Sequence, residues 1–361
     1  AAGHHRMGMM RDELRAVRQL VDAVLEADRF PACIQPDFLR EAVLAYPQRP
    51  GKSLRPALLI WCCELVEGNR RLCPNAAAAV ELYHNWTLIH DDIIDRDDTR
   101  RGGPACHRLV EQTCGLSFAD SATAAEFARN QAMLAGDILH GWSMNLLVRT
   151  TEDGLAADVA AALVAHMSGL VTPLLVSGEA LDVQFEQSRD VSPERVLAML
   201  RLKTAILLRF AAEAGTVIGL GIANFANETV QNAGHFAEAA GLAFQLQDDI
   251  LGLFGDEDRL KKPVASDVRA GKPTLLYLDA LARASTDDAQ VLHAALGKPD
   301  LGGTEVGAIR TIVRDCGALD HVKALAAEHI SRARETLHSF PHSTARDRLE
   351  AWTSRLVERQ S

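Results

Sequence analysis

Apolar residues recur at helical spacing along most of this chain, and no stretch alternates convincingly with a period of two. Strands that pack on one face need that alternation, so the pattern points to packed helices. Helices are predicted over roughly 10–29, 36–46, 56–67, 75–95, 122–148, 155–186, 193–220, 229–254, 273–284 and 321–359. Turn chemistry separates them at Pro50-Gly51, Gly68-Asn69, Gly102-Gly103-Pro104, Ser192-Pro193, Lys262-Pro263 and Gly302-Gly303. No strand pair, fixed-period repeat or low-complexity tract is visible. The 361 residues are 48% hydrophobic and 24% charged, enough for a sizeable core and unlike a disordered or fibrous chain. The expected architecture is all-α: one large helical bundle domain over 9–361.

The first residues, AAGHHRMG at 1–8, read as an expression remnant, and no signal peptide follows. The seven cysteines form no pattern of closely spaced pairs, so neither a zinc site nor a disulfide framework is suggested, and a reduced cytoplasm is the expected location. A net charge of -10 argues against nucleic-acid binding, although divalent metals still allow an acidic chain to hold phosphates. The segment from Val159 to Gly178 lacks Asp, Glu, Lys and Arg. Many of its apolar residues are alanines, whereas a membrane span needs about 20 strongly apolar residues. A helix buried in the bundle core is expected there, and no span.

The sharpest local feature is the run from Leu88 to Gly102, which contains Asp91, Asp92, Asp95, Asp97, Asp98, Arg100 and Arg101. Asn75 is the expected N-cap of the helix leading to it. His84, Leu88, Asp91 and Asp95 then share one stripe, which puts the carboxylates of Asp91 and Asp95 one turn apart. Converging carboxylates repel unless a cation or proton sits between them. Magnesium suits such a place, because it takes one or two carboxylates and fills its other positions with water and phosphate oxygens. A solvated acidic helix end is the plainer alternative, but the apolar stretch before Asp91 and the arginines after it weigh against that.

A second acidic pair, Asp248-Asp249, follows another apolar run, with Phe244, Gln245 and Gly252 around it. Two such pairs suggest metal ions holding a diphosphate from both sides, although either pair alone would serve as a structural ion pair. Cations supply the counterpart. Lys52 and Arg55 flank a turn that enters a helix at Pro56, and Lys203-Thr204 lies within an otherwise apolar helix. Lys262 and Lys272 bracket a polar loop after the second acidic pair. Each of these alone reads as well as a solvated or snorkelling side chain.

Taken together and in order over roughly 50–280, these residues resemble the trans-prenyl diphosphate synthases, the farnesyl and geranylgeranyl diphosphate synthase family. The likeness rests on Lys52 with Arg55, His84, Asp91-Asp92-Asp95, Arg100-Arg101, Lys203-Thr204, and Phe244-Gln245 with Asp248-Asp249 and Lys262. It implies an isoprenoid-synthase-like bundle around a central cavity and a division of labour among these side chains. Lys52, Arg55, His84 and Arg101 would hold the diphosphate of isopentenyl diphosphate without metal. Asp91, Asp92, Asp95, Asp248 and Asp249 would bind Mg²⁺, three ions with substrate present, around the allylic diphosphate, helped by Arg100, Lys203 and Lys262. Thr204 and Gln245 would offer oxygen dipoles to the allylic cation. A homodimer is also implied.

Two positions depart from the family pattern: Gly252 stands where a third aspartate is usual, and Lys261 replaces a glycine. Product length would be governed by Trp86, five positions before the first cluster, with Thr87 beside it. The lack of an insertion between Asp91 and Asp95 resembles geranylgeranyl (C20) synthases, while the bulk of Trp86 would also fit a farnesyl (C15) product. A helical wheel sets Trp86 about 140° from Asp91, as an ordinary core residue would be. A class I terpene cyclase would leave Lys52, Arg55 and His84 idle. A non-catalytic subunit of a heteromeric synthase would explain Gly252 but not the other carboxylates.

Overall fold

The structure is a computed structural model that describes residues 2–49, 51–188, 190–255 and 264–357. It is all-α, as the periodicity requires, and divides into two compact units: residues 1–168 with 211–230, and residues 169–210 with 231–361.

In the first unit, α1 (Ala2–Ala27), α2 (Asp37–Leu44), α3 (Leu54–Leu65), α4 (Pro74–Asp95), α5 (Cys106–Thr113), α6 (Ser121–Val148) and α7 (Ala157–His166) supply the layers. Helix α4 is the central one. Ala76 to Val80, Leu82, Tyr83 and Ile89 are all wholly buried, so it is apolar nearly all round, which only an enclosed helix sustains. Pro74 occupies its first turn, where a missing N–H costs nothing. Asn75 is not the N-cap. Its backbone N–H donates to Asp153 Oδ2 at 2.8 Å, so a carboxylate remote in sequence satisfies the helix end. At the other end Arg96 turns left-handed (φ 59°), and both Arg96 and Asp97 donate to the Asp92 carbonyl, stopping the helix directly after Asp95.

A short β-hairpin follows, which the periodicity did not predict. Thr99–Arg100 (β1) pairs with Gly103–Pro104 (β2), Arg100 opposite Gly103. Its two-residue loop is Arg101-Gly102, with φ of 51° and 75°. Positive φ at both positions is the mark of a type I′ turn, which matches the twist of the strands it joins. Glycine adopts that conformation without cost, whereas Arg101 is strained there.

In the second unit, α8 (Thr172–Glu186), α9 (Pro193–Leu200), the start of α10 (Ile206–Leu220) up to residue 210, α11 (Glu228–Phe254) from residue 231 on, and the helices after 264 enclose their own core. Phe185, Leu242, Leu246, Ile250, Leu275, Tyr277, Ile309 and Val322 belong to that core. Two predicted helices are interrupted by π-turns, at Met167–Val171 and Arg201–Ala205. The predicted helix at 321–359 is broken between His338 and Thr344, around Pro341.

The apolar segment Ala157–Glu186 is long and apolar enough to cross a membrane by length and composition, but it is not the deeply buried helix expected. Only 33% of its apolar window is buried, and Leu170, Val176 and Val183 face outward.

Candidate active site

The first unit collects one half of the predicted site at the end of α4 and along the hairpin. Asp91 and Asp95 are half-buried, one turn apart. Asp92 differs: it is wholly buried, and its oxygens accept from Arg100 Nε at 2.9 and 3.1 Å, from Arg100 Nη2, and from Tyr46 Oη at 2.5 Å. Burial pushes its carboxyl up, while the guanidinium and the Tyr46 hydroxyl draw it back towards the charged form. Burial works against the charge of Arg100 too, yet Asp92 holds that guanidinium firmly protonated. Asp92 was expected among the metal ligands. In the structure its oxygens are engaged by Arg100 and Tyr46. Arg100, expected on the diphosphate, is turned towards Asp92, with Asp97 at 3.3 Å and Asp91 at 3.9 Å.

Arg101 faces the other way, donating to the Tyr46 carbonyl at 3.0 Å and lying 3.3 Å from Glu81. Glu81 is itself buried one turn before Asn85 on α4, and motif spacing had not singled it out. Arg55 lies in the field of both: its pKa is lowered to about 10, by burial first and by Arg101 as well, with Glu81 opposing them. The Arg55 Nε is buried with no hydrogen-bond partner among the described residues. An orphaned guanidinium N–H beside other cations fits a site built to receive an anion. His84 is half-buried, and burial, then Arg55, Arg101 and Arg100, push its pKa well below 6.5. It therefore enters as a neutral hydrogen-bonding ring. Lys52 is exposed just before Ser53, which starts α3.

Trp86 is 8% exposed and wedged among Tyr83, His140 and His90, with centroids 4.8, 4.6 and 5.8 Å away. Thr87 donates its hydroxyl back to the His84 carbonyl at 2.7 Å.

The second unit carries the remaining predicted residues. Lys203 lies in the π-turn, 2.6 Å from Asp182 and 2.9 Å from Glu179 of α8. Gly178 explains how: a Cβ there would fall 2.4 Å from the Lys203 backbone nitrogen, so only glycine lets α8 approach this closely. The π-turn widens the helix locally at Lys203-Thr204, with Thr204 half-buried. Lys272 lies 3.7 Å from both Asp182 and Glu186. Asp182, Glu179 and Glu186 were not singled out from sequence, because their partners lie about twenty or more residues away.

On α11, Gln245, Asp248 and Asp249 are half-buried. Burial first, then the charges of Asp267, Asp248 and Asp182, push the Asp249 carboxyl well up. Gly252 leaves room that Asp267 partly uses: a Cβ at 252 would lie 3.5 Å from Asp267 Oδ2. Lys261 and Lys262 lie outside the described residues. Among the described residues no three His, Cys, Asp or Glu side chains form a protein-only metal cage. Magnesium needs no such cage, since one or two carboxylates with water and phosphate oxygens suffice, and the raised Asp249 marks a place where added positive charge is favoured. The donor set fits Mg²⁺.

The His84 shift makes a prediction about stability. The folded ring stays neutral while the unfolded ring takes a proton below pH about 6.5, so acid favours unfolding. His107, His140 and His329 are lowered by burial in the same direction. Asp249 opposes them, so the test is a difference. Urea unfolding at pH 7.5 and 5.5 should show His84→Gln losing less stability in acid than the unsubstituted protein; equal losses would remove the buried neutral His84.

An all-helical fold carrying carboxylate-rich helix ends and enclosed cations is that of a prenyltransferase, and the comparisons agree. The family described as polyprenyl synthetase matches residues 36–314. The short chain isoprenyl diphosphate synthase of Methanothermobacter thermautotrophicus is 33% identical over 310 residues, covering 86% of this chain and 87% of that one. The geranylgeranyl diphosphate synthase of Saccharolobus solfataricus is 34% identical over 296 residues, 81% of each chain. Geranylgeranyl pyrophosphate synthase from Corynebacterium glutamicum, solved with isoprenyl diphosphate and magnesium, matches with a TM-score of 0.82 at 27% identity, covering 97% of this chain and 99% of that one. The chain belongs to the polyprenyl synthetase family.

Proposed function

We propose that the protein condenses isopentenyl diphosphate with an allylic diphosphate and releases geranylgeranyl diphosphate (C20). The observation carrying this is the cluster of the Arg55 and Arg101 guanidiniums with the neutral ring of His84, which holds an orphaned Arg55 Nε and serves no purpose in an enzyme with a single diphosphate substrate. In this reading Lys52, Arg55, His84 and Arg101 bind isopentenyl diphosphate, and Glu81 keeps the buried guanidiniums from repelling one another. Asp91, Asp95 and Asp248, with Asp249, are the carboxylates that would hold three Mg²⁺ around the allylic diphosphate. Bound there, the metal would neutralise charge building on the departing pyrophosphate.

The protein side chains do the rest. Lys203, held by Asp182 and Glu179, and Lys272 place fixed ammonium groups for the leaving oxygens, with Lys262 preceding Lys272 in the sequence. Thr204 and Gln245 turn oxygen dipoles towards the allylic cation. The double bond of isopentenyl diphosphate then forms the new C–C bond, and a proton is lost to the released pyrophosphate. Apolar walls keep water from the cation. Arg100 and Asp92 act as a clamp on the helix end rather than as ligands.

The protein is further proposed to be a cytoplasmic homodimer in which 9–361 folds as one domain. Seven free cysteines support a reducing compartment. Outward apolar residues support self-association: Met133, Leu134 and Val148 in the first unit, and Leu170, Val176 and Val183 in the second.

Incubating the protein with Mg²⁺, isopentenyl diphosphate and each allylic starter should give a C20 product. Trp86→Ala should shift it to longer chains, because the buried indole closes the end of the growing prenyl chain. An unchanged product distribution in Trp86→Ala would remove Trp86 from chain-length control, and a C15 product from the parent would favour the second reading that the bulk of Trp86 allows. A cyclic hydrocarbon, or no turnover without another polypeptide, would overturn the proposal itself.

A further inference from the structure

Resting on that reading, we propose that Tyr46 is a positioning residue that couples the carboxylate end of α4 to the arginine hairpin. Tyr46 is wholly buried just beyond α2. Its hydroxyl donates to Asp92 Oδ2 at 2.5 Å and accepts from the Cys106 backbone N–H at 2.9 Å. Its carbonyl accepts from Arg101 Nη1 at 3.0 Å. One residue thus touches the aspartate helix, the strained Arg101 and the first turn of α5. Arg49, one turn further on, completes the tie. Its guanidinium lies 5.5 Å from the Tyr46 ring centroid and donates to the carbonyls of Arg100 at 3.0 Å and Pro104 at 2.7 Å, holding both strands of the hairpin.

The geometry separates two functions within Tyr46. The hydroxyl bears on Asp92, and so on the rotation of the helix end that carries Asp91 and Asp95. The carbonyl bears on Arg101, and so on isopentenyl diphosphate. Substituting phenylalanine removes only the first. A lost hydrogen bond to a charged group corresponds to about a 10- to 100-fold change.

Tyr46→Phe should therefore lower kcat by about 10- to 100-fold while leaving KM for isopentenyl diphosphate within about threefold. Thermal unfolding gives a readout independent of turnover. Mg²⁺ with an unreactive allylic thiolodiphosphate should stabilise Tyr46→Phe less than the parent, whereas isopentenyl diphosphate without metal should stabilise both equally. A double-mutant cycle adds the second variant: in an Asp92→Asn background, Tyr46→Phe should cost less than about twofold, since both act through one contact. Parent kcat in Tyr46→Phe, equal loss of both ligand responses, or additive costs in the cycle would each overturn the inference. A parent protein that makes no prenyl diphosphate would instead sink the proposed function.

Discussion

Asp91→Ala and Asp248→Ala should each lower turnover by at least about 10²- to 10³-fold, the loss seen when one preorganised electrostatic contact to a developing charge is removed. Both variants should remain folded. Asp91 and Asp248 are half-buried at helix positions whose neighbours supply the core, so truncation opens no large cavity. Asp248 also contributes to pushing the Asp249 carboxyl up, so Asp248→Ala relieves a like-charge contact and should melt at or above the parent temperature without metal. Adding Mg²⁺ and substrate should narrow or reverse that difference. Steady-state kinetics and thermal melts with and without metal test both halves of the expectation. Near-normal rates in both variants would take the metal assignment away from these carboxylates.

Arg100→Ala should be the most destabilising of the substitutions considered. Among the described residues it leaves the wholly buried Asp92 with only the Tyr46 hydroxyl to stabilise its charge. Breaking one partner out of a buried ion pair costs about 3–5 kcal/mol, because the remaining charge keeps its desolvation penalty. Arg100→Lys should recover only part of this, since an ammonium cannot reproduce the two-pronged contact made by Nε and Nη2. The informative variant is the double one. Replacing Asp92 and Arg100 together by leucine removes both charges and should restore much of the stability while turnover stays low. Urea titration of the three variants measures the first effect and product formation the second. A stable Arg100→Ala protein would mean that water reaches Asp92.

The candidate site residues could be picked out in the sequence because their spacing is local. Asp91 and Asp95 share a helix face by arithmetic, and the same holds for Gln245, Asp248 and Asp249. The long helices were legible for the same reason, most clearly α4, α6 and α11. Short helices at Cys106–Thr113, Ser266–Ala270, Thr286–Ala295 and Gly303–Asp315 were missed, since one to four turns carry little periodic signal. The hairpin at Thr99–Pro104 was missed because its strands are two residues each. Its one local mark was Arg101-Gly102 preceding Gly103, a pair suited to positive φ.

Sequence by itself determined the helical class and the placement of paired carboxylates and cations along the chain, because helix periodicity acts over three to four residues. Tertiary structure decided which of those charges are available. Asp92 and Asp91 are neighbours with identical side chains, yet one is locked between Arg100 and Tyr46 and the other is not. Lys203 would suit a solvated surface until Gly178 brings Asp182 and Glu179 against it. A charge's role depends on the dielectric and the partners around it, and those come from segments far apart in the chain.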